Sequence, residues 1–492
     1  MEVLRSTPVG DRPRTGQHPP STPGYPTVTS TLVRRRVLVI SGDPIGVKLA
    51  GPAIRAWSIA EALCARHEVT LMSLTLIEDI PAPFALVQVS DGQDAEFAVW
   101  EKWADIIIFQ GHAMEFFEAL QTTTKIVVAD IYDPMHLEQL EQAREFPIDV
   151  WDKRVRIATV VLNQQLARAD FFVCASDRQR LFFLGQLAAL GRINPANYAD
   201  DPDLTGLIDV VPFGLSRTAP IHERDVLKGQ RPGIAPDDKL LLWSGGLYNW
   251  FDPKTLIIAV SLLSASHDNV RLFFQGTKHP HPGVPEMAIV AESKELAASL
   301  GVLETSVFFN DSWVDYADRQ NYLTEADVGV SAHRSHIETT MSFRTRILDY
   351  LWAGLPMVVT EGDVFAELIA AERLGIAVPA EDPSALAAAL QRALFDDEFI
   401  AETRANIARV RDRFYWDRVL EPLVHFVDTA HRAPDRVLGR VLSVDRMPDR
   451  PAPAKPRGRI RGAIGALLFH LRDGGPKAVL TRGVARLRRG IR

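Results

Sequence analysis

The chain has 492 residues, 47% of them hydrophobic and 24% charged, a globular composition on a length too great for one ordinary core. Its net charge of −7 hides an asymmetry: residues 451–492 hold eleven Lys/Arg against one acid, Asp473, so that end carries +10 and the remainder −17, a body unsuited to general nucleic-acid binding. No run of about 18 apolar residues is present to span a membrane, no export signal opens the chain, and two distant cysteines, Cys64 and Cys174, read as buried thiols of a reducing compartment.

Residues 1 to about 33 are rich in Pro, Ser, Thr and Gly and read as a disordered tail. Order is expected from the strand "RRRVLVI". A Gly-rich loop follows, "SGDPIGVKLAGP", then a helix with apolar Ile54, Trp57, Ile59, Ala60 and Leu63, then the strand "EVTLMSL". The short apolar runs "DIIIFQG", "KIVVADIYDP" and "DFFVCAS" continue the pattern of parallel strands buried on both faces. They define a first Rossmann-like domain over about 34–215. A second, over about 225–412, has the strands "KLLLWSGG", "VRLFFQGT", "SVFFN", "VGVSA" and "LPMVVT". The fold class is therefore α/β, with two tandem Rossmann-like domains facing across a cleft. The segment "FYWDRVLEPLVHFVDTAHR" reads as one long amphipathic helix, a crossover over 413–435 that returns to the first domain.

In the tail 451–492, Ile460, Ile464, Leu467, Leu468 and Leu471, and then Leu480, Val484, Leu487 and Ile491, form two helical apolar stripes flanked by arginines. Basic amphipathic helices of this kind suit an anionic membrane surface; docking onto the acidic body is the other reading.

Ligands of open α/β sheets bind at the carboxyl ends of the strands. After the first strand come Gly42, Gly46, Lys48 and Gly51. Their spacing is not that of a dinucleotide site, and such a turn also serves plain chain reversal. After later strands come His112, then Asp130 and Tyr132. In the second domain Gly245 and Gly246 follow one strand, with Lys254 beyond, and Lys278 and His279 follow the next. His279 and His281 have no acidic or cysteine partner at ligand spacing, so no metal is assigned.

The densest cluster is "HIETTMSFRTRILDYLWAGLP", His336 to Pro356. Ser342 is placed to cap a helix that Gly354 and Pro356 end, with Phe343, Ile347, Leu348 and Leu351 on its apolar arc. Arg344 and Arg346 at a helix N-terminus suit a diphosphate, and Asp349 suits the hydroxyls of a ribose; an Arg346–Asp349 surface pair is the plainer alternative.

These residues resemble the donor site of retaining GT-B glycosyltransferases, family four (glycosyl transferases group 1). "GDPIGVKLAGPAIRAWSIAEAL" and "VVPFGL" fit as well, and the likeness spans about 35–430. The resemblance implies ribose binding by Asp349, at the family's second Glu position. The first Glu position holds Met341, with Glu338 three residues earlier as its substitute. Glu338 and Asp130 are the candidate catalytic carboxylates, Asp130 and Tyr132 lying on the loop where such enzymes place a sugar-contacting side chain. Gly246 stands at the family's Arg position, and Arg344 or Arg346 is expected to replace that cation. The implied reaction is sugar transfer from a nucleotide-sugar to an envelope glycolipid or polysaccharide, with retention, without metal or cofactor, at the inner face of the plasma membrane. A nucleotide-sugar epimerase of the same fold and a non-catalytic scaffold subunit remain alternatives.

Overall fold

The computed structural model describes residues 33–281 and 287–439. The basic segment 451–492 and almost all of the tail 1–33 lie outside the described residues.

The first sheet has seven parallel strands: β1 (Arg36–Ser41), β2 (Glu68–Ser73), β3 (Ala85–Gln88), β4 (Ile106–Gln110), β5 (Ile126–Asp130), β6 (Phe171–Cys174) and β7 (Ile208–Val210), in the order β3-β2-β1-β4-β5-β6-β7. The second has six: β8 (Lys239–Gly246), β9 (Val270–Gly276), β10 (Val307–Phe309), β11 (Val328–Ser331), β12 (Met357–Thr360) and β13 (Gly375–Val378), in the order β10-β9-β8-β11-β12-β13. Every pairing is parallel. Strand order therefore reverses at β1/β4 and at β8/β11, where an open sheet leaves a crevice beyond its carboxyl edge. Both sheets bury apolar residues on their two faces. Leu38 and Ile40 face one core and Val37 and Val39 the other, as the two-residue strand period requires.

Three strands were not foreseen: β3, β7 and β13, each three or four residues long and each at a sheet edge. An edge strand needs no long apolar run, so it has little signature in the sequence.

The chain crosses between the sheets twice, and the two crossings pair. Leu215 N–H donates to Phe414 O at 2.8 Å, and Trp416 N–H to Leu215 O at 3.2 Å. The expected long helix after them is broken into a 3-10 turn (Arg411–Phe414) and helices Trp416–Val419 and Glu421–Thr429. Pro422 sits in the first turn of the last, where a residue without an N–H is tolerated. Leu423, Phe426 and Val427 complete a core face of the first sheet, and Phe426 stacks on Phe171 at 4.2 Å. The end is then pinned by Asp435, whose carboxylate takes two N–H groups of Arg192 at 2.5 and 3.2 Å, both side chains fully buried.

Asp435→Ala would leave the Arg192 guanidinium buried and unpaired, and is expected to cost about 3–5 kcal/mol. The measurement is the shift in urea midpoint at constant slope.

Candidate functional site

The site grows from the end of β8. Register slips between Trp243 and Gly246, a bulge after which Gly246 still pairs with Gly276, and Gly245 takes the left-handed conformation (φ +77°) that favours glycine. The motif segment lies against this turn as two helices, Ile337–Met341 and Arg346–Ala353, rather than one. Ser342 is not the expected cap of the longer helix. It ends the short one, donating from Oγ to Thr339 O at 3.1 Å. Gly354 closes the longer helix in the left-handed conformation. Tyr350 fastens that helix to the sheet. Its hydroxyl accepts Ser244 N–H at 3.0 Å and lies 2.9 and 2.8 Å from the carbonyls of Leu242 and Val330.

So held, Arg346 donates to Gly246 O at 2.9 Å and lies 4.1 Å from the ring centres of both Trp243 and Phe251. It has no carboxylate partner among the described residues, and burial lowers its pKa to about 10. Asp349 accepts from Ser244 Oγ at 2.7 Å and faces Arg319 Nε at 3.4 Å, so the plain Arg346–Asp349 pair does not form. Arg319 lies over Tyr316 at 3.6 Å and Trp352 at 4.5 Å. Arg344 precedes the helix and reaches back. It makes a bidentate pair with Glu338 at 2.9 and 2.7 Å, and both are buried. Glu338 is thus neutralised by a neighbour, and is no free carboxylate in this state.

A cavity of about 240 Å³ lies between the domains. Gly245, Gly246, Phe343, Arg344, Arg346 and Asp349 line it from the second domain, as sequence reasoning placed them, and Gly51 lines it from the first. Sequence reasoning missed Ser244, Gln275 and Arg319. Gln275 had a signal, a polar residue at the end of the apolar run "VRLFFQG". Arg319 had none, because it comes from a separate helix, Arg319–Glu325. Three buried N–H donors on this wall, Gln275 Nε2, Arg344 Nε and Arg346 Nη1, have no acceptor among the described residues. Buried donors in that condition are costly unless a ligand meets them.

Other expected residues lie elsewhere. Lys254 pairs with Glu292, and Lys278 is exposed beyond β9; neither lines the cavity. Lys48 is exposed, and Gly46 packs against the Glu78 side chain, which accepts Val47 N–H at 2.8 Å. His112 turns to Glu115 at 2.9 Å. Asp130 is fully buried in a bidentate pair with Arg55 at 2.7 and 2.8 Å, with Gln110 Nε2 at 2.9 Å, so its role is structural rather than catalytic. Tyr132 packs edge-on against Phe213 at 5.1 Å beside the same arginine, and burial raises its pKa. One carboxyl that sequence reasoning did not name, Glu138, lines the cavity instead. It hydrogen-bonds Asp133, and burial raises the pKa of both carboxyls. Asp43 Oδ2 is buried with no partner among the described residues, and burial lifts its pKa to about 6.

One grouping of potential metal ligands occurs among the described residues, His222, Asp225 and Glu325, and none of the three lines the cavity. Glu325 has its oxygens engaged by the N–H groups of Val226, Leu227 and Lys228.

Residues 238–396, the second domain, match the family described as Glycosyl transferases group 1. No curated protein matches the sequence. Among solved structures, sucrose-phosphate synthase from Thermosynechococcus elongatus aligns with a TM-score of 0.60 at 16% identity, over 80% of this chain and 99% of that one. WaaG, a glycosyltransferase involved in lipopolysaccharide biosynthesis, aligns at 0.54 and 19%, over 80% and 100%. Anabaena HepE, solved with UDP-glucose, aligns at 0.57 and 14%, over 80% and 100%. At such identities these likenesses are of fold. The fold is GT-B, and with its group 1 domain the chain is a glycosyltransferase.

Asp43 has a folded-state pKa raised above the ordinary carboxylate value, so its contribution to stability is full below pH 4 and lost as pH rises through about 6. Asp43→Asn should therefore gain melting temperature relative to the parent between pH 4 and pH 7.5. An equal difference between the two proteins at both pH values would count against this assignment.

Proposed function

We propose that the chain transfers a sugar, with retention of anomeric configuration, from a nucleoside-diphosphate donor to an envelope glycolipid or polysaccharide acceptor at a membrane surface. The observation that carries the donor part is the wall of buried, unmet N–H groups, Gln275 Nε2, Arg344 Nε and Arg346 Nη1, beside the carboxylate of Asp349. A diphosphate supplies oxygen acceptors to such donors, and a ribose supplies two hydroxyls to a carboxylate. Arg346 lies against the carbonyl of Gly246, the position where the resembled family carries an arginine, so its guanidinium brings a cation to the same place from another element. The aligned HepE structure was solved with UDP-glucose, which supports a nucleotide-sugar donor.

In this reading the bond from the sugar's anomeric carbon to the diphosphate breaks and its electron pair stays on the leaving phosphate oxygen. Arg346 and the N-terminal amides of its helix stabilise that charge without a metal. The acceptor oxygen bonds the anomeric carbon on the same face, and its proton passes to the leaving diphosphate. No protein nucleophile is assigned. The membrane part rests on the basic apolar stripes of 451–492, and no helix of the described residues is long and apolar enough to cross a membrane.

Arg346→Ala is expected to weaken nucleoside-diphosphate binding about 10- to 100-fold, the worth of a charge-assisted hydrogen bond. Lys254→Ala and Lys278→Ala should leave it unchanged. Calorimetric titration of folded variants checks this, and an Arg346→Ala protein that binds like the parent would falsify the donor site. Removal of 451–492 should abolish pelleting with anionic liposomes.

A further inference from the structure

We infer that Arg178 and Gln179, on the first-domain helix Asp177–Ala189, are positioning residues for the donor site of the second domain, setting Arg344 on the cavity wall through two backbone carbonyls of the motif segment. The inference rests on the donor reading above and adds how the first domain takes part in it.

The run Ser176-Asp177-Arg178-Gln179 has the spacing of a helix start at which the first and fourth side chains cap. Ser176 Oγ accepts Gln179 N–H at 3.3 Å. The Gln179 side chain turns back, and its Oε1 accepts Ala175 N–H at 2.8 Å. With the oxygen so used, the amide nitrogen has two N–H groups to place. One goes to Tyr132 O in the loop after β5 and the other to Met341 O of the second domain, both at 2.8 Å. The reverse amide orientation would set the oxygen against two carbonyls, so the partners fix this one. The side chain is fully buried and every polar group of its amide is met. Arg178 beside it donates to Thr340 O at 3.2 Å and to Gly362 O at 3.0 Å.

The carbonyls of Thr340 and Met341 lie in the middle of a closed stretch. Glu338 and Arg344, six residues apart, tie its ends together with bonds of 2.9 and 2.7 Å. Phe343, within it, stacks on Phe213 of the first domain at 5.9 Å. A loop tied at its ends and held at its middle has little freedom left. Phe343 and Arg344, both on the cavity wall, therefore take their places from the first domain. An arginine not held in this way loses more conformational freedom when a ligand engages it, and binds more weakly. The same amide holds the carbonyl of Tyr132, in the loop that leads to the helix Met135–Gln142 and to Glu138 on the cavity wall. One buried side chain thus joins elements that line the cavity from both domains.

The test is a double-mutant cycle on the full chain. Whichever of UDP, GDP and ADP binds the parent most tightly is titrated calorimetrically, and urea midpoints are measured alongside. Arg344→Gln should weaken binding at least about tenfold, and Gln179→Met about fivefold. Added to Arg344→Gln, Gln179→Met should weaken it less than about twofold further, because a residue that acts through Arg344 has nothing left to position. A Gln179 that served only the helix start would lower the urea midpoint and leave the affinity of the folded protein unchanged. Parent-like affinity in Gln179→Met, or losses that multiply in the double variant, overturns this inference alone. If no nucleotide binds, or if Arg344→Gln binds like the parent, the place of Arg344 in the donor reading is overturned and the inference with it. Should Gln179→Met not fold, Arg178→Ala, which leaves the buried amide intact, takes its place in the cycle with the same expectations.

Discussion

A guanidinium taken out of water without a counter-charge is expensive, and the site is organised around keeping Arg346 in that condition. Its own helix does not provide for this. The glycine turn at the end of β8 brings a carbonyl within 2.9 Å, the rings of Trp243 and Phe251 lie close to its guanidinium, and Tyr350 fixes the helix to two strands. With every one of these contacts in place, Nη1 remains unmet on the cavity wall. In the proposed transfer this positive charge is preorganised for the leaving anion, which spares reorganisation at the moment of reaction.

The same economy explains why both domains are needed. The two crevices at which strand order reverses open towards one cavity, and neither domain lines it alone. Contacts across the interface are directed at the motif segment itself. Gln179 of the first domain donates to Met341 O and Tyr132 O, both at 2.8 Å, and Arg178 donates to Thr340 O at 3.2 Å and Gly362 O at 3.0 Å. On the other side of the cleft Trp313 Nε1 reaches Leu49 O at 3.2 Å and Tyr316 N–H reaches Val47 O at 2.9 Å. The position where the resembled family carries its first glutamate is here a methionine whose backbone serves as an interdomain anchor. Glu138, a carboxyl that lines the cavity, comes from the opposite domain.

Legibility followed the physics of each feature. Long parallel strands were readable because burial on both faces forces an unbroken apolar run; the short edge strands β3, β7 and β13 were not, because nothing forces one there. Arg346, Asp349 and the two glycines were readable because they sit where β8 ends or where a helix begins. Lys254 and Lys278 were placed by nearness in the chain, and the structure sends one to Glu292 and the other to solvent. Asp130 was read by its place at a strand end, yet Arg55 lies 75 residues away in sequence and closes over it in the core. Whether a carboxylate at a strand end faces the cleft or a buried arginine depends on what packs beside it.

By itself the sequence determined the α/β alternation and the two-domain plan, and it singled out the segment His336–Pro356, which brings Phe343, Arg344, Arg346 and Asp349 to the cavity wall. Those properties are local, because strand burial, glycine turns and helix ends are each decided within a few residues. Only the tertiary structure decided which charges cancel. Glu338 takes Arg344, Asp349 meets Arg319, and Arg346 is left without a carboxylate. Coulomb energy depends on distance in space, and chain order does not supply that distance.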